Sequence, residues 1–192
     1  MVFAALGTGG DAIFTFNTTT GVLASSVKLP PASTTSSDND LAIDSTTSYL
    51  YIARSGTNGG VVVSRIIDAA GNLTSVAGSP FTAGNGTNSV VLDSTGTFVY
   101  AANSTDGTIS GYTIGTGASL TALTGSPYAS GKLVNSLGID QSGKYLLAAA
   151  RGGSPDLSMY SFDAATPGKL DLTTSTATGT GTTGAIVVAL TH

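Results

Sequence analysis

The sequence predicts an all-β fold, a β-propeller built of four four-stranded blade repeats. Three observations predict it. Asp44, Asp93 and Asp140 recur at spacings of 49 and 47 residues, each after an apolar residue and before a turn-rich triplet. The tetrapeptides Gly78-Ser79-Pro80-Phe81 and Gly125-Ser126-Pro127-Tyr128 recur 47 residues apart. Each unit between these landmarks carries four short strand-like runs and no helical pattern. A period of roughly 40–50 residues with four strands per unit is a propeller-blade period.

Taken in order, residues 2–7 (VFAALG) read as the second strand of a blade, with Phe3 at the place of Tyr51 and Tyr100. Residues 12–17 (AIFTFN) form the third strand, and Gly21 turns the chain into the fourth, residues 22–29. A polar loop covers residues 30–39. Three full units follow, so the repeats fall at about 2–38, 39–87, 88–134 and 135–184 of one domain spanning 1–192.

Within each unit the patterning has period two. Leu41 and Ile43, Val90 and Leu92, and Leu137 and Ile139 share a face of their first strands, which assigns them to the blade-to-blade core. The Asp-x-x-Gly segments after them read as hairpin turns. Asp can bond its own turn backbone there, and Gly accepts positive φ.

After a Thr/Gly tract come residues 185–190 (AIVVAL), a first-strand pattern with Ile186, Val188 and Leu190 on one face. Burying three such side chains stabilises by roughly 5 kcal/mol, and left unpaired they form an aggregation-prone edge. The strand is therefore expected to complete the blade of residues 2–29. The partner blade belongs to the same chain in a four-blade ring, to a second chain in a larger ring or a fibre, or to a missing half.

Composition narrows the function classes. Charged residues make up only 9% of the chain; there is no Glu, Cys or Trp, and the net charge is −4. A nucleic-acid partner needs a clustered basic face, so none is expected. No run approaches the roughly 18 apolar residues of a membrane span, and no leader pattern is legible at the N-terminus. The Thr/Ser/Gly-rich, charge-poor surface points to an exported bacterial protein, extracellular or periplasmic.

The stretches VVLDSTGTFVYAANSTDGTISGYTI and LTGSPY resemble the blades of the lactonase-type propellers, the family of 6-phosphogluconolactonase-like and YVTN-repeat proteins. The resemblance covers essentially the whole chain and implies a ring of seven or eight blades, of which four are half. It also implies lactone hydrolysis as an activity.

The residues give that chemistry little to work with. A lactone hydrolase needs a base or a metal and a group to hold the oxyanion. The one His is His192, the last residue. No acidic group has the spacing of a calcium loop, so neither metal nor cofactor is expected. Ligand-binding candidates are Arg54, Asn103 and Arg151 after second strands, and Asn88 and Asn135, which open first strands and with Asn39, Ser89 and Ser136 are expected to line the propeller mouth. Arg54 and Arg151 could take an anionic ligand; the Asn residues could equally serve turns and caps. The expectation is a non-catalytic scaffold or interaction module that self-associates through strand exchange or binds another protein. The alternative is a lactonase-family hydrolase, or a half or degenerate copy of one.

Overall fold

The computed structural model describes residues 1–29, 33–57, 59–152, 155–178 and 187–190. Among these residues sixteen strands form four antiparallel sheets. The first holds β1 (Val2–Ala5), β2 (Asp11–Phe16) and β3 (Leu23–Leu29) in that order. The second holds β4 (Ser36–Ile43), β5 (Tyr49–Gly56), β6 (Gly60–Ile66) and β7 (Leu73–Ser75). In the third, β8 (Thr87–Leu92), β9 (Phe98–Asn103), β10 (Thr108–Ile114) and β11 (Leu120–Ala122) run in order, and β12 (Tyr128–Ala129) also pairs with β10. The fourth holds β13 (Val134–Ile139), β14 (Tyr145–Ala150), β15 (Leu157–Phe162) and β16 (Leu170–Thr176). The sheets pack in sequence through their inner strands, β1 on β4, β4 on β8 and β8 on β13. This is the four-blade propeller arrangement that the repeat predicts.

The Asp turns are built from their own chemistry. Asp44 Oδ1 accepts the N–H groups of Ser48 and Tyr49, each at 2.7 Å, while Oδ2 accepts the Thr46 hydroxyl. Asp93 does the same with Thr97, Phe98 and Thr95, and Asp140 with Lys144, Tyr145 and Ser142. The Ser142 hydroxyl leads the bonds that hold Asp140 below the usual carboxylate range. At Asp44, burial opposes the same bonds but does not outweigh them.

The Gly-Ser-Pro-aromatic landmark folds back onto the third strand of its blade. Ser79 Oγ accepts the Val63 N–H at 2.8 Å, and Ser126 Oγ accepts the Gly111 N–H at 2.9 Å. Phe81 then bridges Val61, as Tyr128 pairs with Ile109.

Two apolar layers lie between consecutive blades. Tyr51, Val61 and Val63 of the second sheet meet Val90, Val99 and Tyr112 of the third. Tyr100, Ile109 and Tyr128 of the third meet Leu137, Leu146 and Tyr160 of the fourth. Buried tyrosines tie these layers at their rims. Tyr100 donates to Gly168 O at 2.7 Å, Tyr112 to Thr82 O at 2.6 Å and Tyr160 to Ala129 O at 2.7 Å. Each bond crosses from one repeat to the next and satisfies a phenol that burial would otherwise leave unpaired.

Within this chain the described residues do not show the expected pairing of residues 185–190 with the first sheet. Ala185 and Ile186 lie outside the described residues, and residues 187–190 form no strand with β1, whose one partner among the described residues is β2. The segment lies on β13 instead. Val188 N–H donates to Ser136 Oγ at 3.1 Å, and the Val188 and Leu190 side chains come to 3.3 Å from where a Cβ on Gly138 would stand. The absence of a side chain at Gly138 opens this seat. The contact repeats the one between inner strands, where Val90 N–H donates to Asp40 Oδ2 and Leu137 N–H to Ser89 Oγ. Residues 187–190 thus occupy the place of a first strand following the fourth sheet.

Candidate functional site

Each of the three complete sheets carries a β-bulge in its inner strand. The ladder shifts between Asp38 and Asp40, between Thr87 and Ser89, and between Val134 and Ser136. The residue left out of the ladder is Asn39, Asn88 and Asn135 in turn. A bulge releases one residue from the pleat and re-aims its side chain. Here it turns one amide per blade into the space over the inner strands, where all three line a cleft of about 1170 Å³. The amides are linked across blades: Asn88 Nδ2 donates to Asn135 Oδ1 at 2.7 Å, and Asn39 Nδ2 to Thr87 O at 3.0 Å. Asn88 Oδ1 is buried and has no hydrogen-bond partner among the described residues.

The residue after each bulge adds a second row. Asp40, Ser89 and Ser136 line the cleft one beside the next. The Ser89 hydroxyl donates to Asp40 Oδ2 at 2.9 Å and accepts from Leu137 N–H at 3.2 Å. Asp40 also accepts the N–H groups of Leu41 at 2.8 Å and Val90 at 3.0 Å. Its carboxylate is thereby engaged by three donors. Ser55, Ser104 and Thr105 close the wall, so the lining is amide and hydroxyl with one carboxylate and one guanidinium.

The guanidinium is Arg54, at the end of β5. It forms a two-pronged ion pair with Asp38 on the neighbouring strand, Nη2 to Oδ2 at 2.7 Å and Nε to Oδ1. Asp38 is buried, and Asp11 lies beside it at the start of β2, also buried. Burial, and behind it the Asp38 carboxylate, push the Asp11 carboxyl up to about 7 against a smaller pull from Arg54. Asp11 Oδ1 has no hydrogen-bond partner. The bond to Asp38 raises Arg54 above its ordinary value.

Of the residues the sequence singled out, Arg54, Asn88 and Asn135 come together in the cleft. Asn103 does not. It is fully buried within its blade, where Oδ1 accepts the Thr87 hydroxyl at 3.2 Å and Nδ2 donates to Ser110 Oγ at 2.9 Å. Arg151 is exposed and lies outside the lining. Strand pairing explains the difference. Arg54 stands opposite Asp38 and Asn103 opposite Thr87, but in the fourth sheet the matching pair is Ala150 and Val134. Arg151 falls one residue past the position it was matched to. Asn39, Ser89 and Ser136, expected at the mouth because they open first strands, line the cleft as well, and Asp40 is the lining residue that the expectation lacked. Its signal was present as the Asn-Asp pair opening a first strand where the later units have Asn-Ser.

His192 lies outside the described residues. Among the described residues no three His, Cys, Asp or Glu side chains gather as a metal-ligand group, and no helix is long and apolar enough to cross a membrane.

The family model for lactonase, a seven-bladed β-propeller, matches residues 7–136 and again residues 74–187. The chain belongs to this lactonase family. The overlap of the two matches reflects the interchangeable blades. No curated protein matches the sequence. Among solved structures, a candidate 6-phosphogluconolactonase from Bacteroides uniformis superposes with a TM-score of 0.76 at 12% identity, over 92% of this chain and 56% of that one. A second, from Bacteroides fragilis, gives 0.75 at 20% identity over 92% and 54%. The periplasmic gluconolactonase of Pseudomonas aeruginosa gives 0.76 at 18% identity over 91% and 53%. The chain thus spans about half the length of these structures, and the likeness is one of fold.

Proposed function

We propose that the chain is a sugar-acid or sugar-lactone binding module of the lactonase family, with the cleft over the inner strands as its site. The observation that carries this reading is the row of bulge amides, Asn39, Asn88 and Asn135, set one per blade around a polar cleft. Amides and hydroxyls at fixed intervals match the donor and acceptor pattern of a polyhydroxylated chain. Arg54, at the edge of the lining, suits a carboxylate or phosphate at one end. The family, and the names of the neighbouring gluconolactonases, support the same ligand class.

The chain itself binds in this reading and does not hydrolyse. Asp40 is engaged by three donors, and Arg54 is paired with Asp38. Export to the periplasm or exterior is part of the proposal, supported by the charge-poor composition and the periplasmic neighbour.

Titration calorimetry with gluconate, 6-phosphogluconate and glucono-δ-lactone tests the site. Binding is expected, and Asn88→Ala or Asn135→Ala should weaken it about tenfold, the worth of one to two hydrogen bonds. Lactone opening should run no faster than in buffer. No heat with any of the three compounds overturns the proposal, and protein-dependent ring opening replaces binding with catalysis.

A further inference from the structure

Three carboxylates are buried among the described residues: Asp11, Asp38 and Asp156. Two of them are met by donors. Asp38 takes both prongs of Arg54, and Asp156 accepts the Thr178 N–H at 2.7 Å and its hydroxyl at 2.6 Å. Asp11 is the exception. It is 6% exposed, and no group donates to its Oδ1. Its side-chain partner is the Asp38 carboxylate, which can only accept, so the bond between them needs a proton on Asp11. The two acids cannot draw apart. Gly7 N–H donates to Asp38 O at 2.8 Å and Asp38 N–H to Gly7 O at 3.2 Å, which fastens the loop ahead of β2 to the start of β4.

Besides Asp38 and Arg54, no charge bears on Asp11. Neither β1 nor β2 carries another ionisable side chain, and residues 30–32 carry none. Lys28 of β3 pairs with Ala12 and so falls on the other face of the sheet. Asp40 of β4 is bound to Ser89 and Val90 of the third sheet. The β5 tyrosines, Tyr49 and Tyr51, lie at the far end of that strand from Arg54. Asp68, in the turn that packs on Ile13, is engaged by Asn72.

Arg54 carries this local arrangement into the cleft. Asp38 engages its Nε and Nη2, and Arg54 lines the cleft, so Nη1 is the edge it offers an anion there. We propose that Asp11 is a proton switch for the cleft: a sugar-acid carboxylate at Arg54 is taken up together with a proton, which Asp11 holds while the ligand stays. The inference rests on the reading of the cleft as a sugar-acid site and adds its regulation. With Asp11 protonated, one guanidinium balances one carboxylate, and an incoming anion meets a neutral wall. With Asp11 ionised, two carboxylates outnumber the guanidinium, and the anion is repelled. The coupling is reciprocal, so a bound anion strengthens the hold of Asp11 on its proton. Burial and the Asp38 charge already raise that carboxyl to about 7, which puts the exchange near neutrality.

Calorimetric titration of the 192-residue chain with gluconate at pH 6, 7 and 8 tests the switch, run at each pH in two buffers of different ionisation enthalpy. Affinity is expected to fall about fivefold from pH 6 to pH 8, and the difference between buffers should show protons taken up on binding at the upper end. Asp11→Asn matches the neutral acid in shape at every pH. It should keep the affinity seen at pH 6 throughout and bind without proton uptake. A purely structural role for Asp11 would leave both the pH profile and the uptake unmoved. Binding of the unaltered chain with no pH dependence and no uptake overturns the switch and leaves the cleft reading standing. So does a pH dependence that survives in Asp11→Asn. No binding of gluconate at any pH overturns the cleft reading for sugar acids and the switch with it.

Discussion

The junction between the first and second sheets and that between the third and fourth are built on the same backbone positions and filled by opposite chemistry. At the later junction the three positions are Ile109, Val134 and Ala150, all buried in one apolar cluster. At the earlier one the same positions are Asp11, Asp38 and Arg54. The junction between them is intermediate, with Val61 facing a blade whose pair is Thr87 and Asn103. The propeller backbone therefore does not dictate how a junction coheres. An apolar junction gains from every atom removed from water, whereas an ionic one must offset the desolvation of each charge with a partner.

The comparison breaks most sharply at Arg54. Arg54→Ala strands the buried Asp38 carboxylate beside Asp11 and should cost about 4 kcal/mol, read from chemical denaturation. A loss under about 1 kcal/mol would mean that water already solvates this junction. Ile109→Ala removes apolar contacts without exposing a charge and should cost about 3 kcal/mol. Converting the earlier junction to the later one, with Asp11→Ile, Asp38→Val and Arg54→Ala together, should leave stability unchanged or raise it by about 1–3 kcal/mol. A marked loss would show that the ion pair contributes more than a packed apolar set.

The same junction should also give stability a pH slope. Asp11 holds its proton up to about 7 when folded, against 3.8 as its ordinary value. Between those values the folded state binds a proton that the unfolded state has released, so stability falls as pH climbs from about 4 to about 7. Asp11→Asn should flatten that stretch of the melting-temperature profile and leave the acid limb, set by carboxylates such as Asp44 and Asp140, in place.

What was legible in the sequence was whatever the chain settles locally. Asp93 bonds residues within five positions of itself, so its turn could be read from the string. Ser79 and Ser126 act on strands 16 and 15 residues back; the recurrence marked the motif as a landmark, while its bond to the third strand depends on pairing that the string does not display. The bulges could not be read in this way. An Asn at the head of a strand has the same neighbours whether it caps a turn or stands out of the ladder, and only pairing with the next strand decides. Arg151 was misplaced for the same reason, since the pairing of Val134 with Ala150 sets the count. The Asp11–Asp38–Arg54 group brings together residues 27 and 16 positions apart, and no periodicity connects them.

The bulge asparagines carry a consequence for how such a site diversifies. Each blade delivers its amide from its own strand, by a ladder defect internal to its own sheet. Duplicating or deleting a blade would therefore add or subtract one recognition group without redesigning the others. Under the proposed function, ligand length would be counted in blades, and gene duplication would act on specificity in whole steps.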